Sequence, residues 1–211
     1  MENNVNVAIL IYPGVEVIDM NGPIDVFIKT NRYNNNKYRV FTVAESAGVI
    51  ESEHSAVRII PEYTLSNCPK PDILVIPGQI MPEGSPEPYG SGSDELVTWI
   101  KKQAQSEGAT IMSVCVGIYF LVKTGLLNTK KATTHWAALE DIQKQYPDID
   151  FIKNVRFVAD GNIVSTGGVT SGIDGALYLV DQIDGAEIAQ QVADIMVYNR
   201  EAPLPPNTIL P

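Results

Sequence analysis

Along this chain, unbroken apolar runs alternate with stretches in which apolar residues recur every third or fourth position. The first run, residues 5–12, stops at Pro13-Gly14, and an apolar-rich helical stretch follows over about 16–30, with Pro23 expected to bend or restart it. Residues 38–44 and 57–60 read as strands, with a short hairpin at 45–55 between them. A buried strand at 72–76 is stopped by Pro77-Gly78, and residues 79–92, rich in Pro, Gly and Ser, read as a loop over the sheet edge. Ser93 before Asp94-Glu95 has the form of a helix N-cap with an acidic first turn, and Val97, Ile100 and Ala104 then recur at helical spacing. An apolar strand ends on Cys115, followed by a helix at 117–127, a short strand at 132–134 and a polar helix at 137–146. Strands at 151–158 and 163–165 flank Asp160-Gly161, a hairpin signal. Two last helices carry Ile173, Leu177 and Val180, then Ile188, Val192, Ile195 and Met196, at helical spacing.

Strands apolar at every position are covered on both faces, which is the condition of a parallel sheet between helical layers. The alternation therefore predicts an α/β fold with a largely parallel central sheet. No break in composition divides the chain, so residues 1–200 are expected to form one domain. Residues 201–211 contain four prolines and are expected to run as a tail over the surface or against a partner subunit.

Composition narrows the function classes. The 211 residues are 45% hydrophobic and 19% charged, and 25 acidic against 15 basic side chains give a net charge of −10. That balance argues against nucleic acids and anionic membranes as partners and favours small molecules. No apolar run approaches the ~18 residues that span a bilayer, and Met1-Glu2-Asn3-Asn4, with neither a basic nor an apolar region, is not expected to open a secretory signal. Cys68 and Cys115 form neither a disulfide framework nor a metal-ligand pattern, so a reducing, cytoplasmic setting is expected. No GxGxxG or GxxxxGK[ST] phosphate loop occurs, and neither a cofactor nor a metal is expected.

The candidate chemistry centres on Cys115, where an apolar strand meets an apolar helix. That is the form of a nucleophile elbow, in which the side chain stands above the sheet edge and the amides of the next helix face any developing negative charge. A thiol there is expected to have a lowered pKa, although free cysteines are also common as small buried hydrophobes. In doubly wound sheets ligands sit at the carboxyl ends of the strands, so residues 13–20, 77–81 and 115–116 should converge. Asp19, among Val15, Val17, Ile18 and Met20, is there either to complement a helix start or to serve as a desolvated acid with a raised pKa.

At this point the chain resembles the ThiJ/PfpI group of the class I glutamine amidotransferase-like superfamily. The resemblance runs over nearly the whole length. It is carried by Tyr12-Pro13-Gly14-Val15, Ile18-Asp19-Met20-Asn21-Gly22-Pro23, Asp72-Ile73-Leu74-Val75-Ile76-Pro77-Gly78 and Ser113-Val114-Cys115-Val116-Gly117. Ala132-Thr133-Thr134-His135-Trp136 and Gly167-Gly168-Val169-Thr170-Ser171-Gly172-Ile173-Asp174 look most like the branch that holds isonitrile hydratases and the amidase-like domains of AraC-type regulators. The resemblance implies a flavodoxin-like three-layer sandwich, a homodimer, Cys115 as the reactive residue and Asp19 as its acidic partner. It also implies oxyanion donors at the backbone N–H groups of Gly78 or Gln79 and of Val116.

Two positions depart from the pattern: Gln79 replaces a second glycine, and Val116 stands where relatives carry His or Thr. A glutaminase-type triad needs a late histidine, and none follows His135. His135 is read as a strand-end histidine near the pocket, and Thr170 as a residue shaping the cavity. The implied activity is hydration of an isonitrile to an N-substituted formamide, with glyoxalase or deglycase chemistry and a redox or small-molecule sensor as alternatives.

Overall fold

The structure, a computed structural model, describes residues 4–79 and 93–200. The loop expected at 79–92 is described only at Gln79, and the rest of that loop, like the proline-rich tail at 201–211, lies outside the described residues.

Seven strands form the central sheet. They are β1 (Val5–Leu10), β2 (Tyr38–Ala44), β5 (Tyr63–Thr64), β6 (Ile73–Ile76), β7 (Thr110–Val114), β10 (Phe157–Asp160) and β11 (Ile163–Thr166). Their order is β10-β11-β7-β6-β1-β2-β5, and every neighbouring pair is parallel except β10 with β11. Val7, Ile9, Ile76 and Ile111 have no solvent exposure, as strands covered on both faces require. Helices α1 (Val17–Thr30), α5 (Ser171–Asp184) and α6 (Ala186–Ile195) pack together, as do α2 (Asp94–Ala104) and α3 (Ile118–Thr124). The result is the largely parallel α/β fold that the alternation of runs predicts, in the flavodoxin-like form that the resemblance implies.

From β1 the chain winds one way to β2, then returns to place β6, β7 and β11 on the other side of β1. The winding reverses between β1 and β6, which opens a crevice at their carboxyl ends. Four strand ends meet there: Leu10, Ile76, Val114 and Thr166 are followed by the segments that hold Asp19, Gly78, Cys115 and Gly168.

Several expected elements differ. Helix α1 runs through Pro23 without interruption, forgoing the bond that position 23 would give to the carbonyl of Asp19. The strand expected at 57–60 is β4 (Arg58–Ile59), which pairs antiparallel with β3 (Ile50–Glu51) outside the central sheet. The hairpin thus spans both expected pieces, and the central sheet instead gains β5, too short to show a period. Residues 151–158 divide, with β9 (Asp150–Phe151) pairing with β8 (Lys131–Ala132) as a separate ribbon. Asn154, at φ +58, marks the bend before β10. After the elbow, Cys115–Gly117 is a 3₁₀ turn, and α3 ends at Gly125 with φ +75, earlier than the expected 127. No helix among the described residues is long and apolar enough to cross a membrane.

Candidate active site

Strand β7 delivers Cys115 at φ +56, a left-handed conformation that costs a side-chain-bearing residue about 1–2 kcal/mol. Tertiary contacts hold it there. The Thr134 hydroxyl donates to the Cys115 carbonyl at 2.7 Å. From the other side comes Gly168, at φ +67, where a Cβ would lie 2.5 Å from Cys115 Cβ and 2.8 Å from its Sγ. Only glycine satisfies both that backbone angle and that approach. Cys115 is left 8% exposed.

Asp19 enters from α1 and is fully buried. Its Oδ2 accepts the Gly78 N–H at 2.9 Å, and its Oδ1 has no hydrogen-bond partner. Glu16 caps the helix, its Oε2 accepting the Asp19 N–H at 2.5 Å while its own N–H donates to the Gly78 carbonyl at 2.9 Å. Val15 and Gln79 form an antiparallel bridge beside them. Gly78 is the hub: a Cβ there would lie 2.7 Å from Asp19 Oδ2 and 3.0 Å from both Cys115 Cβ and Val116 Cγ2. The acid, the thiol-bearing residue and Val116 therefore surround one peptide.

Electrostatics follow from this burial. Desolvation, then the Glu16 charge, raises the Asp19 carboxyl from the usual 3.8 to about 8. The Cys115 thiol is pushed well above its ordinary value by burial and then by the Asp19 charge, and the Val116 amide only partly offsets this. The expected lowering of the thiol pKa is thus reversed. A 3₁₀ turn followed by a seven-residue helix presents a weak dipole, and desolvation outweighs it. At neutral pH both groups hold their protons.

The other sequence candidates are distributed unevenly. The Gly78 N–H is engaged by Asp19 and so is not open to an oxyanion, whereas the Val116 N–H acts on the sulfur. His135 is half-buried, caps α4 (Trp136–Gln145) by accepting the Ala137 N–H at Nδ1 at 3.4 Å, and packs its ring 5.2 Å from that of Trp136. Burial lowers its pKa. Thr170 is exposed at the start of α5, and nothing in the geometry ties it to Cys115. Ser171 is the first residue of α5 and donates to the Gly168 carbonyl at 3.1 Å. Sequence reasoning gave no separate role to Thr134 or Glu16. The position of Thr134 just beyond a short strand was the available signal. Among the described residues, no three His, Cys, Asp or Glu side chains gather as a metal-binding group.

Residues 5–182 match the model of the DJ-1/PfpI family. The chain belongs to this family. Among curated relatives, it is 31% identical over 206 residues to an isonitrile hydratase of Pseudomonas putida, an alignment covering 95% of this chain and 80% of that protein. It is 26% identical over 194 residues to the HTH-type transcriptional regulator CdhR of Pseudomonas aeruginosa, covering 92% of this chain but 55% of the regulator. A crystal structure of a ThiJ/PfpI family protein from Pseudomonas syringae superposes with a TM-score of 0.79 at 27% identity, covering 99% of this chain and 80% of that one. The relatives that this chain matches include both a hydratase and a regulator.

Proposed function

We propose that the chain is a cysteine-dependent enzyme acting on small molecules, with hydration of an isonitrile to an N-substituted formamide as its reaction. The observation that carries this reading is the arrangement of Cys115 and the fully buried Asp19 around the Gly78 peptide, with one carboxyl oxygen unpartnered. Burial raises the pKa of both groups, which favours their protonated forms. Similarity to the hydratase over 95% of the chain supports the choice of substrate class.

Isonitrile chemistry needs what this pair holds. Asp19 gives its proton to the terminal carbon of R–N≡C as the Cys115 sulfur bonds to the same carbon, and the thiol proton passes to the Asp19 carboxylate. The product is a thioimidate, R–N=CH–S–Cys115, with Asp19 again protonated. Asp19 then protonates the imine nitrogen, its carboxylate takes a proton from the attacking water, and a tetrahedral adduct forms at carbon. Cleavage of the C–S bond, with a proton returned to sulfur, releases R–NH–CHO. The net change is the addition of one water. The amides of Gln79 and Val116 are the proposed donors to oxygen in the adduct, Gly78 being reserved for the acid.

A redox or small-molecule sensor is the second reading, supported by the similarity to a transcriptional regulator; the redox form makes a prediction about the thiol. The raised thiol pKa weighs against it, since peroxide attacks the thiolate. The deciding assay offers the purified chain an aromatic isonitrile, an alkyl isonitrile and methylglyoxal, with Cys115→Ala in parallel. Formamide formed only with Cys115 present supports hydration, and turnover of methylglyoxal alone would move the assignment to glyoxalase chemistry. Absence of turnover combined with ready oxidation of Cys115 would overturn the enzyme reading.

The functional unit proposed is residues 1–200, acting as a homodimer in a reducing, cytoplasmic compartment. Support for pairing comes from the outer face of α1 and its neighbours. Ile18 is 44% exposed and Ile28 51%, and Ile24, Ile173 and Met196 line a shallow concavity next to them.

A further inference from the structure

We propose that Glu16 shares a proton with Asp19 and is the port through which the buried acid exchanges protons with solvent. The inference rests on Asp19 as the acid of the site and is independent of which substrate the site takes.

A carboxyl that carries a proton places it on one oxygen. Oδ2 of Asp19 already faces the Gly78 N–H at 2.9 Å, so the proton sits on Oδ1, a fully buried atom with no partner. An unpaired buried O–H is costly, and an acceptor beside it removes that cost. The groups facing Asp19 come from three elements. Cys115 and Val116 approach from the elbow around Gly78. Glu53 approaches from the turn between β3 and β4, its Oε1 lying 3.4 Å from the Val17 N–H. Glu16 approaches from the start of the same helix, its Oε2 at 2.5 Å from the Asp19 N–H. The charged groups among these are all acidic.

Glu16 combines two properties that the others lack. It is fixed to the same peptide as Asp19, because its N–H bonds the Gly78 carbonyl while Asp19 holds the Gly78 N–H. It is also half-buried, whereas Asp19 has no exposure. The transfer balances simply. One proton moves from Asp19 Oδ1 to a Glu16 oxygen, leaving a carboxylate at Asp19 and a carboxyl at Glu16, which then exchanges with water. The influence of the Glu16 charge on both Asp19 and Cys115 is consistent with that proximity.

Glu16→Gln tests this in the full chain, because the amide oxygen can still cap the Asp19 N–H but cannot take up a proton. The readout is the infrared band of a protonated carboxyl, assigned to Asp19 by its loss in Asp19→Asn. In the native chain the band should persist to about pH 8. In Glu16→Gln it should titrate lower by about one pH unit or more, and its shift on transfer to D₂O should slow by about tenfold or more. If Glu16→Gln does not fold, Glu16→Ser keeps a capping oxygen and is read the same way. A midpoint and an exchange rate equal to native would overturn the inference and leave Glu16 as a helix cap, and a native chain without the band would overturn it as well. Neither readout needs a substrate, so a failed isonitrile assay leaves this result standing, and the reverse also holds.

Discussion

A cysteine in the left-handed region and a carboxylic acid with an unpaired buried oxygen are each unfavourable alone, and the fold sets them around a single glycine peptide. The proposed chemistry depends on both keeping their protons. Cys115→Ala should lower turnover by at least about a thousandfold, and Asp19→Asn by about 10²–10⁴, both read as kcat/KM on the best isonitrile. Asp19 also makes a signed prediction for stability. Its carboxyl is raised from 3.8 to about 8, so between these values the folded chain binds more protons than the unfolded one. Its stabilising contribution is therefore complete below about pH 4 and is lost as pH rises towards 8, by at most roughly 1.4 kcal/mol per unit. Denaturant unfolding of native and Asp19→Asn chains should show the native advantage shrinking from pH 5 to pH 8, and a constant difference would contradict the raised pKa. That the segments holding Cys115 and Asp19 converge was legible from the strand ends, while the residue pattern alone left the role of each open and the family resemblance singled them out. The Gly78 clamp, 59 residues from Asp19, was not, because a backbone amide leaves no mark in residue identity.

At the scale of elements, the elbow is held by contacts from two other segments rather than by its own turn. Thr134→Val removes the hydroxyl that donates to the Cys115 carbonyl, so a loss of about 0.5–1.5 kcal/mol is expected in thermal or denaturant unfolding. Gly168→Ala brings a methyl to within 2.5 Å of Cys115 Cβ at φ +67. It should cost at least about 2 kcal/mol and abolish most turnover, and a variant with native stability and kinetics would show that the loop yields. The central strands and main helices were readable because their periods are long enough to register. The ribbons β3–β4 and β8–β9 were not, since two-residue pairings carry no period and their alignment is decided by what they pack against. Pro23 misled for a related reason: packing of α1 against the sheet and against α5 outweighs one missing backbone bond.

For the whole molecule, the reversal of winding between β1 and β6 sets the site, and membership of the DJ-1/PfpI family agrees with it. The apolar outer face of α1 is the proposed contact between two copies. Ile18→Asp combined with Ile28→Asp should convert a dimer to a monomer in sedimentation equilibrium while leaving the monomer folded, and an unchanged dimer mass would place the contact elsewhere. Sequence could show that α1 is rich in apolar residues, but only the packed structure separates those that are buried from Ile18 and Ile28, which are exposed. The most direct test of the central claim is a single-turnover experiment: intact-protein mass spectrometry of the chain mixed with an aromatic isonitrile and quenched over time. Hydratase chemistry predicts a transient mass increase equal to one isonitrile on Cys115, decaying as one equivalent of formamide appears. Formamide appearing without any such adduct, or an adduct of the same size forming in Cys115→Ala, would contradict it.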